Sequence, residues 1–171
     1  METLIRDIPD FPKKGVVFKD ITPLLGNAAA LAEVVDRLAV PFADAGVEAV
    51  VGIESRGFIF GSLVAQRLGV GFVPVRKLGK LPYKTIQASY DLEYGRDSVE
   101  MHVDAIAPGQ KVLVVDDLIA TGGTVGAACQ LIEQLGGQIV GLAFVIELSF
   151  LKGRHRLSRY RMHSLIDVSS E

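Results

Sequence analysis

Apolar residues along this chain fall into two kinds of pattern. Short apolar runs bounded by turn residues are typical of buried strands, and apolar positions three and four residues apart are typical of helices. The two patterns alternate here as two β-α-β units, which predicts a parallel sheet covered by helices. The first unit is VEAVVGI (47–53), FIFGSLVAQRLG (58–69) and VGFVPVRK (70–77), and the second is QKVLVVDD (110–117), VGAACQLIEQLGG (125–137) and QIVGLAFVIEL (138–148).

Turn and capping residues define the segments around these units. Residues 1–26 are short mixed runs punctuated by prolines, which does not predict one long element. The next stretch, to about residue 45, has a helical pattern, with Asn27 as a candidate N-cap and Gly46 as a candidate stop. Pro41 should kink or divide this helix because it lacks a backbone N–H. YRMHSLI (160–166) predicts a last strand.

Between the two units, polar and apolar residues alternate with the period of a strand. YDLEY (90–94) and VEMHV (99–103) follow this pattern, and GRD (95–97) lies between them. We therefore predict a β-hairpin that turns at 95–97 and projects from the core.

Composition and charge narrow the class of protein. The 171 residues fit one domain, and 49% hydrophobic residues with a mean hydropathy of +0.35 argue against disorder. A net charge of −2 gives no bias toward nucleic acid or a membrane surface, so we expect neither as a partner. We also expect a cytoplasmic protein, because the sequence has no membrane-spanning apolar run and no signal-peptide pattern at its N-terminus.

Several conspicuous side chains have a structural explanation. Cys129 is the single cysteine, which excludes an intramolecular disulfide and suits a reducing compartment. It lies on the apolar face of its helix, so we interpret it as a core residue rather than a nucleophile. His102, His155 and His163 lack metal-ligand spacing, and the basic run LKGRHRLSRYR (151–161) is predicted to be a solvated turn rather than a nucleic-acid patch.

Candidate chemistry concentrates where the strand QKVLVVDD ends. In open parallel sheets, ligands bind beyond the carboxyl ends of the strands, and the loops 54–57 and 116–124 both fall there. In the second loop, TGGT (121–124) opens a helix. Helix N-terminal N–H groups form an anion site, and glycines let the ligand approach closely, so we predict a bound phosphate group.

Two adjacent acids, Asp116 and Asp117, precede this turn. A lone aspartate at such a position often only caps a helix or ends a strand. Two acids leaving an apolar strand favour a functional role, and carboxylates accept hydrogen bonds from sugar hydroxyls far better than they bind phosphate. A phosphorylated sugar would satisfy both features, with its phosphate on the turn and its ribose hydroxyls on the acids, directly or through Mg²⁺ and its waters.

Five motifs carry a resemblance to a known family. VLVVDDLIATGGT (112–124) resembles the phosphoribosyl pyrophosphate signature of type I phosphoribosyltransferases. Four further segments are similar to the adenine-specific members of that family: GVVFKDITPLL (15–25), GIESRGFIFG (52–61), RKLGKLP (76–82) and SYDLEYGRDSVEMH (89–102). The likeness runs in order from about residue 4 to residue 148.

The resemblance implies a fold and a reaction. The fold would be α/β, a single type I phosphoribosyltransferase domain over 1–171 whose central, mostly parallel sheet is flanked by helices. A small N-terminal hood (1–26) and a projecting, flexible hairpin lid (79–103) would cover the site. The family converts adenine and phosphoribosyl pyrophosphate to AMP and pyrophosphate with Mg²⁺, through a transition state resembling an oxocarbenium ion, and its members form homodimers.

The resemblance also implies roles for individual residues. The expected phosphoribosyl and AMP site is Asp116, Asp117, Ala120, Thr121, Gly122, Gly123 and Thr124. The expected pyrophosphate site is Ser55, Arg56, Gly57, Arg76, Lys77 and Lys80, and Arg76 could reach it from the neighbouring subunit. The expected adenine site is Val17, Phe18, Lys19, Leu118 and Ile119. The expected catalytic residues are Glu93, Tyr94 and Arg56, and no residue is expected to bind the metal directly.

Within these sets, Glu93 is the candidate general acid or base near the purine N7, and Phe18 would stack on adenine. Val17 would read the base through its own backbone C=O and N–H. The chain departs from the family pattern at Lys19, where we expect an arginine, and at Leu78, where we expect a proline. Lysine lacks the planar fork of arginine, so a side-chain role at Lys19 does not carry over.

Two alternatives compete with an adenine-specific transferase. Another nucleobase, such as xanthine, hypoxanthine or orotate, could be the acceptor, although FKDITPLL (18–25) and LEYG (92–95) argue against these. A non-catalytic regulator could bind the same sugar phosphate, but we expect it to carry a DNA-binding module, for which the segment before the first long helix is too short. The sequence contains neither a P-loop nor a Rossmann glycine motif.

Overall fold

The computed structural model describes residues 2–92 and 95–170, which adopt an α/β fold. Its strands and helices are, in chain order, β1 (Arg6–Ile8), β2 (Phe18–Asp20), α1 (Thr22–Leu25), α2 (Ala28–Ala39), β3 (Ala49–Ile53), α3 (Gly57–Leu68), β4 (Gly71–Lys77), β5 (Thr85–Leu92), β6 (Gly95–His102), β7 (Lys111–Ile119), α4 (Gly123–Gln134), β8 (Gln138–Leu148), α5 (Gly153–Arg156) and β9 (Met162–Val168). Short 3₁₀ turns occupy Glu2–Leu4, Val40–Phe42 and Ser149–Leu151.

Over these described residues, the main sheet has seven strands in the order β5-β6-β4-β3-β7-β8-β9. Strands β4, β3, β7, β8 and β9 run parallel, β6 is antiparallel to β4, and β5 is antiparallel to β6. The parallel sheet predicted from the two β-α-β units is therefore confirmed. Strands β1 and β2 pair with each other outside this sheet, in the N-terminal segment.

Both faces of the central strands are covered, which explains their continuous apolar runs. Every residue of β3 is buried. Helix α4 packs on one face, against Val51 and Val114, while α2 and α3 cover the other face, against Val50 and Leu113. A strand buried on both faces needs apolar residues at every position. In the described part of the chain, no helix is long and apolar enough to cross a membrane.

The predicted helix signals are confirmed at α2. The Asn27 side chain accepts a hydrogen bond from the Ala30 N–H at 3.0 Å, as an N-cap does. The helix ends at Ala39, and Pro41 lies in the following 3₁₀ turn, so the proline divides the segment before the expected stop at Gly46. On α4, Cys129 is buried in the core as predicted, and burial raises the pKa of its thiol to about 12.

The hairpin lies elsewhere along the chain than predicted. Residues 95–97 belong to β6 rather than to a turn, because Leu92 pairs with Gly95 in the register of the two strands. The base of the hairpin does not project: Ala88 and Met101 are buried in the core beside α4. The period-two pattern indicates strand faces, but it does not locate the turn between two strands.

Two other predictions also need correction. Strand β7 continues to Ile119, two residues beyond its predicted end at Asp117, so it takes in the first part of the predicted loop 116–124. The basic run 151–161 is not a simple solvated turn, because it contains α5 and because Leu157 is buried in the core. A leucine inside a run of arginines gives little signal of burial, although it decides how the segment packs.

Candidate active site

A cleft of about 510 Å³ opens at the carboxyl ends of β3 and β7. The loop after β3, the end of β7 and the first turn of α4 line it, which is the sheet edge where ligands bind in such folds. Of the predicted site residues, the structure brings the following into the lining: Ser55, Arg56, Lys77, Asp116, Asp117, Leu118, Ala120, Thr121, Gly122, Gly123 and Thr124.

The glycine turn between β7 and α4 has the geometry of an anion site. Gly122 has a φ of +77°, in the left-handed region that glycine adopts without steric cost. The Gly126 N–H donates to the Gly122 carbonyl at 2.9 Å and closes the first turn of α4. The preceding N–H groups have no partner within the helix, and the helix dipole makes this end positive. A phosphate group fits these donors.

The two acids beside the turn are poorly solvated and close together. Asp116 Oδ1 accepts the backbone N–H of Asp117 at 2.9 Å. Burial raises the pKa of Asp116 well above its ordinary value, and the charge of Asp117 raises it further. Burial also raises the pKa of Asp117, while the Arg56 guanidinium opposes that shift. Such carboxylates have spare acceptor capacity for hydroxyl groups of a ligand.

Asp117 in particular has an unused acceptor. Only 5% of the residue is exposed, and its Oδ2 has no hydrogen-bond partner among the described residues. Arg56 Nε lies 2.9 Å from this oxygen and forms an ion pair with it, but the N–H is not aligned for a hydrogen bond. A buried acceptor in this state is normally completed by a ligand or by water.

Gly57 supports this site through its small size rather than by lining the cleft. A Cβ at position 57 would lie 2.6 Å from Asp116 Oδ1 and 3.1 Å from the Val115 carbonyl oxygen. Any side chain there would displace the carboxylate. The N-terminus of α3 therefore packs directly on Asp116.

Arg56 joins the N-terminal segment to the acids. Its Nη1 donates to the Lys19 carbonyl at 3.1 Å, and its guanidinium lies 4.8 Å from the centroid of the Phe18 ring. Phe11 meets the same ring edge-on, with centroids 5.1 Å apart. The side chain of Lys19 is engaged elsewhere, because its Nζ lies 2.7 Å from Asp7.

Only some of the residues predicted to bind pyrophosphate line the cleft. Lys77 lines the cleft and lies 3.4 Å from Asp97. Arg76 instead forms a fork with Glu54, at 3.1 and 3.2 Å, and donates to the Lys80 carbonyl at 2.9 Å. This fork lowers the pKa of Glu54. Arg76 and Lys80 are therefore not part of the cleft lining of their own chain.

The residues predicted to bind adenine also lie in different places. Leu118 lines the cleft, but Ile119 is buried in the core beside α4, because neighbouring strand residues point to opposite faces. Ile119 therefore does not line the cleft, and its assignment to the adenine wall stays a prediction. Val17 and Lys19 line a separate cavity of about 360 Å³, which they share with the C-terminal end of β8.

Sequence reasoning missed two residues that hold the site from the hairpin side. Tyr90 lines the cleft and donates its hydroxyl hydrogen to Asp97 at 3.1 Å. Its ring packs against the turn, since a Cβ at Gly123 would lie 3.2 Å from it. Glu100 is buried and accepts the N–H groups of Lys80 and Leu81 at 3.0 Å each. Alternation marked both positions as strand residues but carried no signal for these long-range contacts.

A comparison with known families matches this site to one of them. The model of the phosphoribosyl transferase domain matches residues 19–169, which include the cleft, the acids and the glycine turn. The chain belongs to the phosphoribosyl transferase family. The resemblance drawn from the five motifs is thereby confirmed.

Similar members of this family carry a more specific name. The adenine phosphoribosyltransferase of Nitrosococcus oceani is 60% identical over 166 residues, covering 97% of each chain. The crystal structure of the adenine phosphoribosyltransferase from Rhodothermus marinus is 52% identical, with a TM-score of 0.94 over 98% of this chain and 96% of that one. The Saccharomyces cerevisiae enzyme, complexed with adenine and an imino-altritol bisphosphate, is 42% identical, with a TM-score of 0.91 over 96% and 95%.

Two predicted residues of the phosphoribosyl transferase site cannot be placed. Glu93 and Tyr94 lie outside the described residues. Their catalytic role stays a prediction from the family resemblance.

Proposed function

We propose that this protein transfers the 5-phosphoribosyl group from phosphoribosyl pyrophosphate to adenine, giving AMP and pyrophosphate in purine salvage. One observation carries the proposal: two adjacent acids, of which Asp117 is buried, and a glycine turn with the geometry of an anion site line the same cleft. Together they fit a sugar with a 5-phosphate and free hydroxyls. The relatives named adenine phosphoribosyltransferase support adenine as the acceptor.

The phosphoribosyl group would lie across the end of β7. Its 5-phosphate would accept hydrogen bonds from the N–H groups at the start of α4, next to Gly122 and Gly123. Its ribose hydroxyls would donate to Asp116 and Asp117, completing the acceptor on Asp117 that has no hydrogen bond among the described residues. This arrangement explains why acids stand next to a phosphate site.

The donor set also fits Mg²⁺, which prefers oxygen ligands and keeps several of its waters. The Oδ2 of Asp117, which pairs with Arg56 but accepts no hydrogen bond among the described residues, and the neighbouring Asp116 would hold such a hydrated ion through its waters, and the diphosphate of the substrate would supply direct ligands. When bound, the ion would neutralise charge on the leaving pyrophosphate.

The leaving pyrophosphate would lie at the loop after β3. Arg56 offers a charge-assisted fork there, and Lys77 offers a second cation in the lining. These groups would stabilise charge that develops as the C1–oxygen bond breaks, and the acids would hold the ribosyl cation in place.

Adenine would enter between Leu118 and the N-terminal segment, where Phe18 offers an aromatic face. The Arg56 guanidinium now lies over that ring, so it would shift toward pyrophosphate as the base stacks. Glu93 would exchange a proton near N7, and the hairpin would close over the substrates to exclude water.

We propose further that the protein is a homodimer in which Arg76 and Lys80 serve the cleft of the second subunit. In support, both residues stand outside the cleft lining of their own chain. The same loop exposes Leu78 and Tyr83, which are 46% and 56% accessible and offer apolar area to a second copy.

An adenine-dependent assay of pyrophosphate release tests this function. The protein should release pyrophosphate from phosphoribosyl pyrophosphate and Mg²⁺ only when adenine is added, with AMP formed in equal amount. Turnover with hypoxanthine or guanine in place of adenine would contradict the base assignment. Tight binding of phosphoribosyl pyrophosphate without turnover on any base would favour the regulator.

A further inference from the structure

The segment that follows β8 has no role in the chemistry above, yet it packs on the phosphate-binding turn. We call residues 149–161 the backing segment. It consists of the 3₁₀ turn Ser149–Leu151, helix α5 and the chain up to β9. In the sheet, β7 lies between β3 and β8, so the backing segment and the pyrophosphate loop 54–57 flank the end of β7 from opposite sides.

The closest approach joins two glycines. A Cβ at Gly153 would lie 2.3 Å from the Ala120 carbonyl oxygen and 3.1 Å from the Gly122 nitrogen. In return, a Cβ at Gly122 would lie 3.1 Å from the Gly153 carbonyl oxygen. The backbone of Gly153 therefore packs directly against the backbone of residues 120–122, and neither Gly122 nor Gly153 has room for a side chain.

A leucine extends this contact along α4. The Cδ1 of Leu157 lies 3.4 Å from the position of a Cβ at Gly122, and its Cδ2 lies 3.8 Å from that of a Cβ at Gly126. Leu157 is itself 3% exposed. The turn thus rests on a buried surface made by the backing segment.

An ion pair between an exposed arginine and a buried glutamate holds the backing segment in place. Arg154 forms a fork with Glu147, with Nε 2.8 Å from Oε1 and Nη2 bonded to Oε2. Glu147 is 5% exposed and also accepts the Ser164 hydroxyl at 2.6 Å. The fork therefore ties α5 to the C-terminal end of β8 and, through Ser164, to the first half of β9, and Arg154 directly follows Gly153.

We infer that Gly153 is a positioning residue for the 5-phosphate site, held in register by the Arg154–Glu147 fork. The inference rests on the proposed function, since it takes the turn to bind the 5-phosphate. The backing segment sets the direction of the turn's N–H groups by fixing the Ala120 carbonyl and the Gly122 nitrogen. A side chain at 153 would push these groups out of line with the phosphate while leaving the pyrophosphate loop in place.

Calorimetric titration with two separate probes tests the inference. Ribose 5-phosphate reports on the turn, and Mg²⁺-pyrophosphate reports on the loop after β3. Gly153→Ala should weaken ribose 5-phosphate by about ten- to hundredfold, the range for losing a hydrogen bond to a charged group, with pyrophosphate affinity unchanged. Gly126→Ala is the matched control, because its new methyl meets only Leu157 at an ordinary distance, and it should bind both probes as the wild type does.

The outcomes separate this inference from the proposed function. If the wild type makes AMP and binds ribose 5-phosphate but Gly153→Ala binds it equally well, the inference alone is overturned. An equal loss of both probes in Gly153→Ala would show a general structural effect and would also overturn it. If the wild type binds no ribose 5-phosphate, the phosphate assignment fails, and the inference fails with it.

A second variant covers the case in which Gly153→Ala does not fold. Arg154→Lys keeps the charge but loses the fork, and the Arg154 side chain is 46% exposed, so the fold should survive. It should weaken ribose 5-phosphate without weakening pyrophosphate. Unchanged affinity for ribose 5-phosphate in this variant would overturn the positioning role of the backing segment.

Discussion

Two acids in contact at the end of β7 place a like-charge pair where water is scarce. Burial and the neighbouring charge both raise the pKa of Asp116. A raised native pKa means that the native state holds its proton to a higher pH than the unfolded chain does. Ionising Asp116 therefore costs native stability, and a bound ligand can recover that cost by donating hydrogen bonds or bringing a cation.

The raised pKa of Asp116 makes the stability of the protein depend on pH. The unfolded aspartate ionises near its ordinary pKa of 3.8, and native Asp116 ionises higher, so the stability linked to its proton is lost as pH rises through the native pKa. Asp116→Asn should therefore gain stability relative to the wild type as pH rises, by about 1.4 kcal/mol per unit of pKa shift. Thermal melts of both proteins at pH 5 and pH 8 measure the difference. Exposed Asp104→Asn is the control, and a pH-independent difference for Asp116→Asn would contradict the prediction.

The contacts of Phe18 and Lys19 in the N-terminal segment predict how each residue contributes to adenine binding. Phe18→Ala should raise the KM for adenine by about one to two decades, since stacking a base on an aromatic ring is worth about 1–3 kcal/mol. Lys19→Arg should change it little, because the Lys19 side chain pairs with Asp7 and only its carbonyl faces Arg56. Steady-state kinetics with varied adenine test both variants. A normal KM in Phe18→Ala, or a large change in Lys19→Arg, would contradict the assignment.

At the scale of elements, the hairpin is tied to the phosphate turn through Tyr90. Its hydroxyl bonds Asp97, and its pKa is raised by burial, an effect that a hydrogen bond with Thr124 opposes. Strand β5 therefore touches α4 at the residues that would bind phosphate. Phosphate binding and the position of the hairpin should be coupled for this reason.

A substitution of Glu93 tests whether this residue takes part in the chemistry. Glu93→Gln should lower kcat by about 10²–10⁴-fold with little change in KM, if its proton transfer is confined to the transition state. Asp91→Asn is the matched control, since the side chain of Asp91 is 80% exposed two residues earlier. A near-normal kcat in Glu93→Gln would remove this residue from the mechanism.

Hydrogen exchange tests whether the hairpin is a lid. Amides near Ala88 and Met101 should be protected without ligand, because these residues are buried in the core. Amides nearer the tip, from Tyr90 to Leu92 and from Gly95 to Asp97, should gain protection only when phosphoribosyl pyrophosphate binds. Equal protection of the tip with and without the ligand would rule out closure.

At the scale of the whole molecule, the proposed dimer makes a prediction about shared sites. If Arg76 acts across the interface, a mixed dimer of Arg76→Ala and Asp117→Ala subunits contains one intact site and one doubly damaged site. Random mixing of two inactive variants should then restore about a quarter of the wild-type activity, as symmetry requires. Mixing after dissociation and reassembly, followed by the pyrophosphate assay, measures this. No recovery would place Arg76 in the site of its own subunit, and full activity of Arg76→Ala by itself would place the residue outside the mechanism.

Four features follow from the amino-acid sequence alone: the parallel sheet, the end of the helical segment at Pro41, the core position of Cys129 and the glycine turn beside two acids. Each is a local matter, since period, capping, proline geometry and glycine φ depend on residues close together in the chain. Three other features become visible only in the folded chain: Ile119 points to the core, Arg76 pairs with Glu54, and Gly153 and Tyr90 pack against the glycine turn. These contacts join residues far apart in the chain, and their geometry depends on strand order and on which face of each strand another element covers.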